Sequence, residues 1–152
     1  MRTLSFVTDN SALDSLVGEW LTVPEVADRL GIDAGKVRRL VHEGRLAVVR
    51  RGRSSVVSVP ADFLVPEHLE NPANSTLNKP EPEPDEYGVP APRWAVLASL
   101  YGTFTLLRDA GFADDEAIEW LFTPDTTLGE TPISAMRTGR KTAVRRIAMT
   151  LL

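Results

Sequence analysis

Apolar residues recur along this chain at two spacings, and the changes of spacing mark out its elements. Val26, Ala27 and Leu30 fall on one face of a helix. Thr22 and Glu25 stand before that helix at the spacing of a capping box, with Leu21 and Val26 placed as a hydrophobic staple. Pro24 falls in the first turn, where a missing amide hydrogen costs nothing, and Gly31 stops the helix. Asp33 then caps a second helix, residues 34–43, whose Val37, Leu40 and Val41 face the first, and Gly44 ends it. The period then shortens. Residues 46–50 and 55–59 carry Val48, Val49, Val56, Val57 and Val59, β-branched strand formers on either side of a turn at 51–54. Helix, tight turn, helix and hairpin follow one another in the order of a winged helix-turn-helix.

Flanking patterns complete the layout. Residues 1–10 read as a flexible tail with hydroxyls at Thr3, Ser5 and Thr8; a phosphate there would repel DNA. Residues 11–19 read as a short helix capped by Ser11, with Leu13, Leu16, Val17 and Trp20 covering the core. After Pro60 a helical turn at 61–64 closes that core with Phe63 and Leu64. Residues 66–92 hold seven of the 11 prolines and six acids, a composition that resists helix and sheet and predicts an acidic linker or surface loop. Beyond it, Trp94, Val96, Leu97, Leu100, Tyr101, Phe104, Leu107 and Ala110 predict one helix from Arg93 to Ala110, ended by Gly111. Asp114 is expected to cap a helix over 115–122, Thr131 and Pro132 to start a short one over 133–137, and Gly139 to separate a last one over 140–151. The expected fold is mainly α with a small β-hairpin wing: a winged helix-turn-helix at 11–65, the 66–92 segment, and a helical bundle at 93–152.

Composition narrows the chemistry. The 152 residues contain no cysteine, which removes disulfides, thiolate metal sites and cysteine nucleophiles. The two histidines, His42 and His68, do not make a metal cluster or a triad. No catalytic carboxylate motif or glycine-rich phosphate loop is present, so no enzyme activity, cofactor or metal is expected. No apolar run reaches the roughly 18 residues of a membrane span, and the N-terminus lacks the apolar core of a signal peptide. A cytoplasmic, nucleoid-associated location and no membrane partner are expected.

Charge changes the picture most. Residues 36–53 carry seven of the 17 lysines and arginines against one acid, Glu43, a local balance of +6 in a chain of net charge −4, leaving −10 elsewhere. An acidic chain that concentrates its cations on one unit has the footprint of a nucleic-acid binder. On the 34–43 helix, Arg38, Arg39 and His42 point away from the core, with Lys36 on the flank and Gly35 near the start. Arginine there suits guanine O6 and N7 or phosphates. Arg45 follows the helix, and Arg50, Arg51 and Arg53 flank the hairpin turn, where a wing touches backbone. These eight side chains are the candidate contacts to double-stranded DNA. Lys141 and Arg145 on the last helix are candidate secondary phosphate contacts, but a solvated basic face near a helix C-terminus is the favoured reading, because basic last turns are common. No sustained heptad follows the wing, so a coiled-coil dimer is not indicated and the oligomeric state stays open.

Two resemblances go with these motifs. The segment LTVPEVADRLGIDAGKVRRLVHEGRLAVVRR, followed by LLRDAGFADDEAIEWLFTPD and a closing helix with VRR, resembles a small family of actinobacterial, Ser/Thr-kinase-linked winged-helix DNA-binding regulators. Membership implies a transcriptional regulator, and the 66–92 insert departs from that family's pattern. Residues 117–147 also resemble the toxin-binding domain of antitoxins whose partners degrade NAD: Trp120-Leu121, Thr123-Pro124, Leu128-Gly129, Thr131-Pro132 and Gly139 match in order. That likeness implies a protein partner met through Trp120, Pro124, Leu128 and Pro132. Small winged heads with a basic hairpin tip also serve recombination directionality factors of the excisionase type, a third reading.

Overall fold

The computed structural model describes residues 11–52, 54–67, 70 and 94–152. The tail with Thr3, Ser5 and Thr8, the wing-tip Arg53, His68 and most of the 66–92 insert lie outside the described residues. The N-terminal half runs α1 (Ser11–Leu16), β1 (Trp20–Thr22), α2 (Val23–Leu30), α3 (Ala34–His42), β2 (Val49–Arg51) and β3 (Val56–Pro60). A 3-10 turn, Ala61–Phe63, leads to β4 (Leu64–Pro66). The chain is next described at β5 (Trp94–Val96), followed by α4 (Leu100–Asp109), α5 (Asp114–Leu121), α6 (Pro132–Arg137) and α7 (Lys141–Met149).

The helix-turn-helix forms as its caps dictate. The Thr22 hydroxyl accepts from the Glu25 amide at 3.3 Å, and Glu25 Oε1 accepts from the Thr22 amide at 2.8 Å. That backbone hydrogen bond, with the Thr22 hydroxyl, holds the Glu25 carboxyl below its usual range. Gly31 takes the left-handed conformation at φ 70°, and its amide closes α2 on Ala27 and Asp28. Asp33 caps α3 by accepting from the Lys36 amide at 2.8 Å. Val26, Ala27 and Val37 are buried between the helices, and Leu40 and Val41 half-buried.

Four expectations are corrected. The predicted two-stranded wing is a three-stranded antiparallel sheet, order β1-β3-β2, because α1 stops at Leu16 and residues 20–22 extend to pair Leu21 with Val59. The Trp94 end of the predicted long helix is a strand. Trp94, Ala95 and Val96 pair with Pro66, Val65 and Leu64, and the Leu97 and Ala98 amides donate to Phe63 and Glu70 carbonyls at 2.9 and 3.0 Å. In a helix begun at Arg93 those amides would donate to the carbonyls four residues back; here they donate across the fold instead, so tertiary pairing overrides the helical period. The ends of the insert are therefore antiparallel neighbours. Third, Ala113, not Asp114, is the cap of α5; Glu116 Oε1 accepts from its amide at 2.9 Å, while Asp114 binds Arg108. Fourth, the last helix spans Lys141–Met149, shorter than 140–151.

One hydrophobic core runs through both halves. Phe63, fully buried, meets Phe104 edge-on at 5.6 Å and Phe122 at 5.9 Å. Arg137 of α6 donates through Nη1 to the Asp62 and Leu64 carbonyls at 2.7 Å each. The 3-10 turn that ends the winged unit is thus a core piece of the helical half. Phe63→Ala should cost about 3–5 kcal/mol and destabilise both halves in one transition. Urea unfolding followed by far-UV dichroism and tryptophan emission tests this; two separated transitions would show the halves to be independent.

Candidate nucleic-acid interface

Helix α3 presents Gly35, Lys36, Arg38, Arg39 and His42 to solvent. The side chains of Lys36, Arg38, Arg39 and His42 have no hydrogen-bond or ion-pair partner among the described residues. Gly35 has a local reason to be glycine: a Cβ there would lie 3.2 Å from Asp33 Oδ1, the carboxylate that caps α3.

The C-terminal half holds the far end of α3. Gly44 turns the chain at φ 83°, and a Cβ there would run 2.6 Å from Arg108 Nη1. Arg108 is fixed by Asp114 at 3.1 Å and by the Phe104 ring at 5.5 Å. Sequence pattern identified Gly44 only as a stop. The Arg108 contact joins residues 64 positions apart and leaves no local signal.

The other candidate cations divide by surroundings. Arg45 pairs with Glu43 at 3.6 Å and lines a cleft of about 300 Å³ with Leu40, Glu70 and Tyr101, on the side toward the helical half. Arg50 lies exposed on β2, opposite Val57. Arg51 is engaged: its Nε and Nη2 donate to Asp14 at 2.8 and 2.7 Å, and its guanidinium lies 4.6 Å over the Trp20 ring. Helix α1 therefore grips the base of the wing. The wing turn uses Gly52 at φ 74° and Ser55 at φ 52°. Lys141 is half-buried. Arg145 packs across Gly102 of α4, leaving no room for a Cβ there, and its buried Nε has no hydrogen-bond partner.

The motif behind the antitoxin likeness has its own structural work. Asp125 Oδ1 accepts from the Thr127 and Leu128 amides, and Gly129 at φ 76° closes the turn on the Asp125 carbonyl. Thr131 caps α6. Glu130 accepts from Ser134 and Arg140, which hold its carboxyl below the usual range. Leu128 and Pro132 are buried, Trp120 is half-buried, and Pro124 is exposed. Among the described residues no acidic or histidine group could hold a metal, and no helix is long and apolar enough to cross a membrane.

Two helices joined by a glycine turn, an exposed cationic second helix and a basic hairpin define a winged helix-turn-helix. Residues 8–64 match the family model described as "DNA-binding protein Rv2175c, wHTH domain", and residues 97–151 match "Rv2175c C-terminal domain of unknown function". The chain carries both domains in order and belongs to this family, which is not an enzyme family. It is 33% identical over 106 residues to DNA-binding protein Rv2175c of Mycobacterium tuberculosis, covering 70% of this chain and 53% of that protein, so it spans about half the length of that relative. The NMR structure of Rv2175c superposes with a TM-score of 0.61 at 27% identity, over 88% of this chain and 80% of that one. Between them the two family matches leave out residues 65–96, which hold the insert, most of β4 and all of β5.

Gly44→Ala should lower stability by about 1–2 kcal/mol, from the left-handed backbone and the displaced guanidinium. Urea unfolding of Gly44→Ala, alone and with Arg108→Ala, separates the two: the double variant should recover the steric part and retain the backbone part.

Proposed function

We propose that this chain is a DNA-binding regulator, either an operator-specific transcription factor or a nucleoid-associated protein. Helix α3 enters the major groove, with Lys36, Arg38, Arg39 and His42 on bases and phosphates, while Arg50, Arg51 and Arg53 of the wing hold backbone. The observation that carries this reading is the row of cations on the outer face of α3 whose side chains have no partner among the described residues, in a chain whose remaining charge is negative. Guanidinium groups left without carboxylates are open to phosphate and guanine. The name of the mycobacterial relative as a DNA-binding protein supports it. Arg45 faces the cleft and ranks below the α3 side chains; Arg145 packs between α4 and α7, and Lys141 is the better placed of the secondary pair. The helical half, on this reading, buttresses the end of α3 through Arg108 and keeps its outer surface for a protein partner.

Binding of mixed genomic duplex fragments, followed by fluorescence anisotropy at several salt concentrations, is the direct test. Saturable binding that weakens steeply with salt is expected; none at low salt would overturn the reading and turn attention to partners of residues 117–147. Arg38→Ala with Arg39→Ala should lose about 100-fold or more in affinity while keeping the wild-type dichroism, and the salt slope should fall by about one per phosphate contact removed. Wild-type binding by that double variant would remove α3 from the interface. Asp14→Asn should act oppositely. It releases Arg51 and removes a nearby negative charge, so affinity at low salt should rise several-fold, while stability falls by no more than about 1 kcal/mol for a part-exposed pair. An unchanged affinity would make Arg51 a structural residue of the wing only.

A further inference from the structure

Between the start of α2, the wing-facing side of α3 and the wing strands lies an open groove of about 390 Å³. Its walls are mostly apolar: Val23 and Pro24 from α2, Val41 from α3, and Val48, Val56 and Val57 from the hairpin, with the capping Thr22 at one edge. Arg38 and Arg50 line it too, and no carboxylate does. The aliphatic walls offer no donor or acceptor to a base edge, the Thr22 hydroxyl is already engaged in the cap of α2, and the two cations match an anionic occupant.

Val56 is the informative residue. It is 44% exposed, the most exposed valine among the buried and surface apolar side chains of the wing, and sits on β3 opposite Arg51. It stands outside the core cluster, and a threonine would keep the strand. An occupant that covers it must bring apolar surface together with negative charge. A duplex strand does both. In the major groove every base presents donors or acceptors, and thymine alone adds an apolar group, the C5-methyl.

We propose that this groove reads thymine methyl groups, with Val56 as the specificity-determining contact and Arg38 and Arg50 on the flanking phosphates. The inference rests on the DNA-binding reading and deepens it: α3 supplies polar readout and the groove beside it supplies a preference for thymine at adjoining positions.

The test uses the full chain and one pair of probes: the duplex best retained from a random-sequence pool, and the same duplex resynthesised with every thymine replaced by uracil. Wild type should bind the uracil duplex at least about fourfold more weakly, the loss expected for one buried methyl. Val56→Ser, at an exposed position where the fold is unaffected and dichroism verifies it, should bind both duplexes alike, and Val56→Thr, which keeps one methyl, should fall between. Equal binding of both duplexes by wild type overturns the inference and leaves DNA binding standing. A thymine preference that survives intact in Val56→Ser also overturns it, by assigning the effect to duplex shape. Failure to retain any duplex from the pool is the separate failure of the DNA-binding reading.

Discussion

The burial of Phe63 is the contact on which the rest of the structure depends. It stands one residue before β4, at the end of the winged unit, yet its ring lies against Phe104 and Phe122 of the helical half. A side chain of that size buries a large apolar area, and aromatic edge-on geometry adds to it. With Arg137 holding the carbonyls on either side of Phe63, at Asp62 and Leu64, the turn is fixed in position by the helices it precedes. A winged head of some fifty residues has a small core of its own. The helical half enlarges that core and, through Arg108 at Gly44, sets the end of α3. Orientation of the exposed helix is thereby a property of the whole chain.

The parts of the fold legible in the sequence are those governed by local chemistry. The Thr22–Glu25 box, the Gly31 stop, the Asp33 cap and the Thr131-Pro132 start each depend on residues within four positions, and each forms as its spacing implies. The parts that were not legible depend on distant partners. Residues 20–22 are extended because β3 is beside them, and Trp94 to Val96 are extended because β4 offers them hydrogen bonds across the insert. A period of three or four around Trp94, Val96 and Leu97 fits a helix as well as it fits a short strand followed by a turn, and only the tertiary pairing separates the two. The same limit applies to the interface. Exposure of the α3 cations followed from the helical wheel. The engagement of Arg51 by Asp14 and Trp20, across 37 positions, did not, and neither did the apolar groove, whose walls come from three elements.

Electrostatics ties the two levels together. Three acids of the winged unit are matched to particular arginines: Glu19 to Arg29, Asp14 to Arg51, Glu43 to Arg45. Each pair is part-exposed and contributes little to stability. Their consequence is spatial. They neutralise three carboxylates around the head, and no described carboxylate pairs with the cations of α3, so that a chain of net charge −4 concentrates positive charge at one place. Repulsion of a polyanion by the rest of the molecule would then orient the encounter, since an approaching duplex is attracted by one face and repelled elsewhere. On the proposed reading, a head with one short recognition helix has few base contacts to discriminate with, so orientation by charge and additional apolar readout beside α3 would be complementary demands on the same small surface.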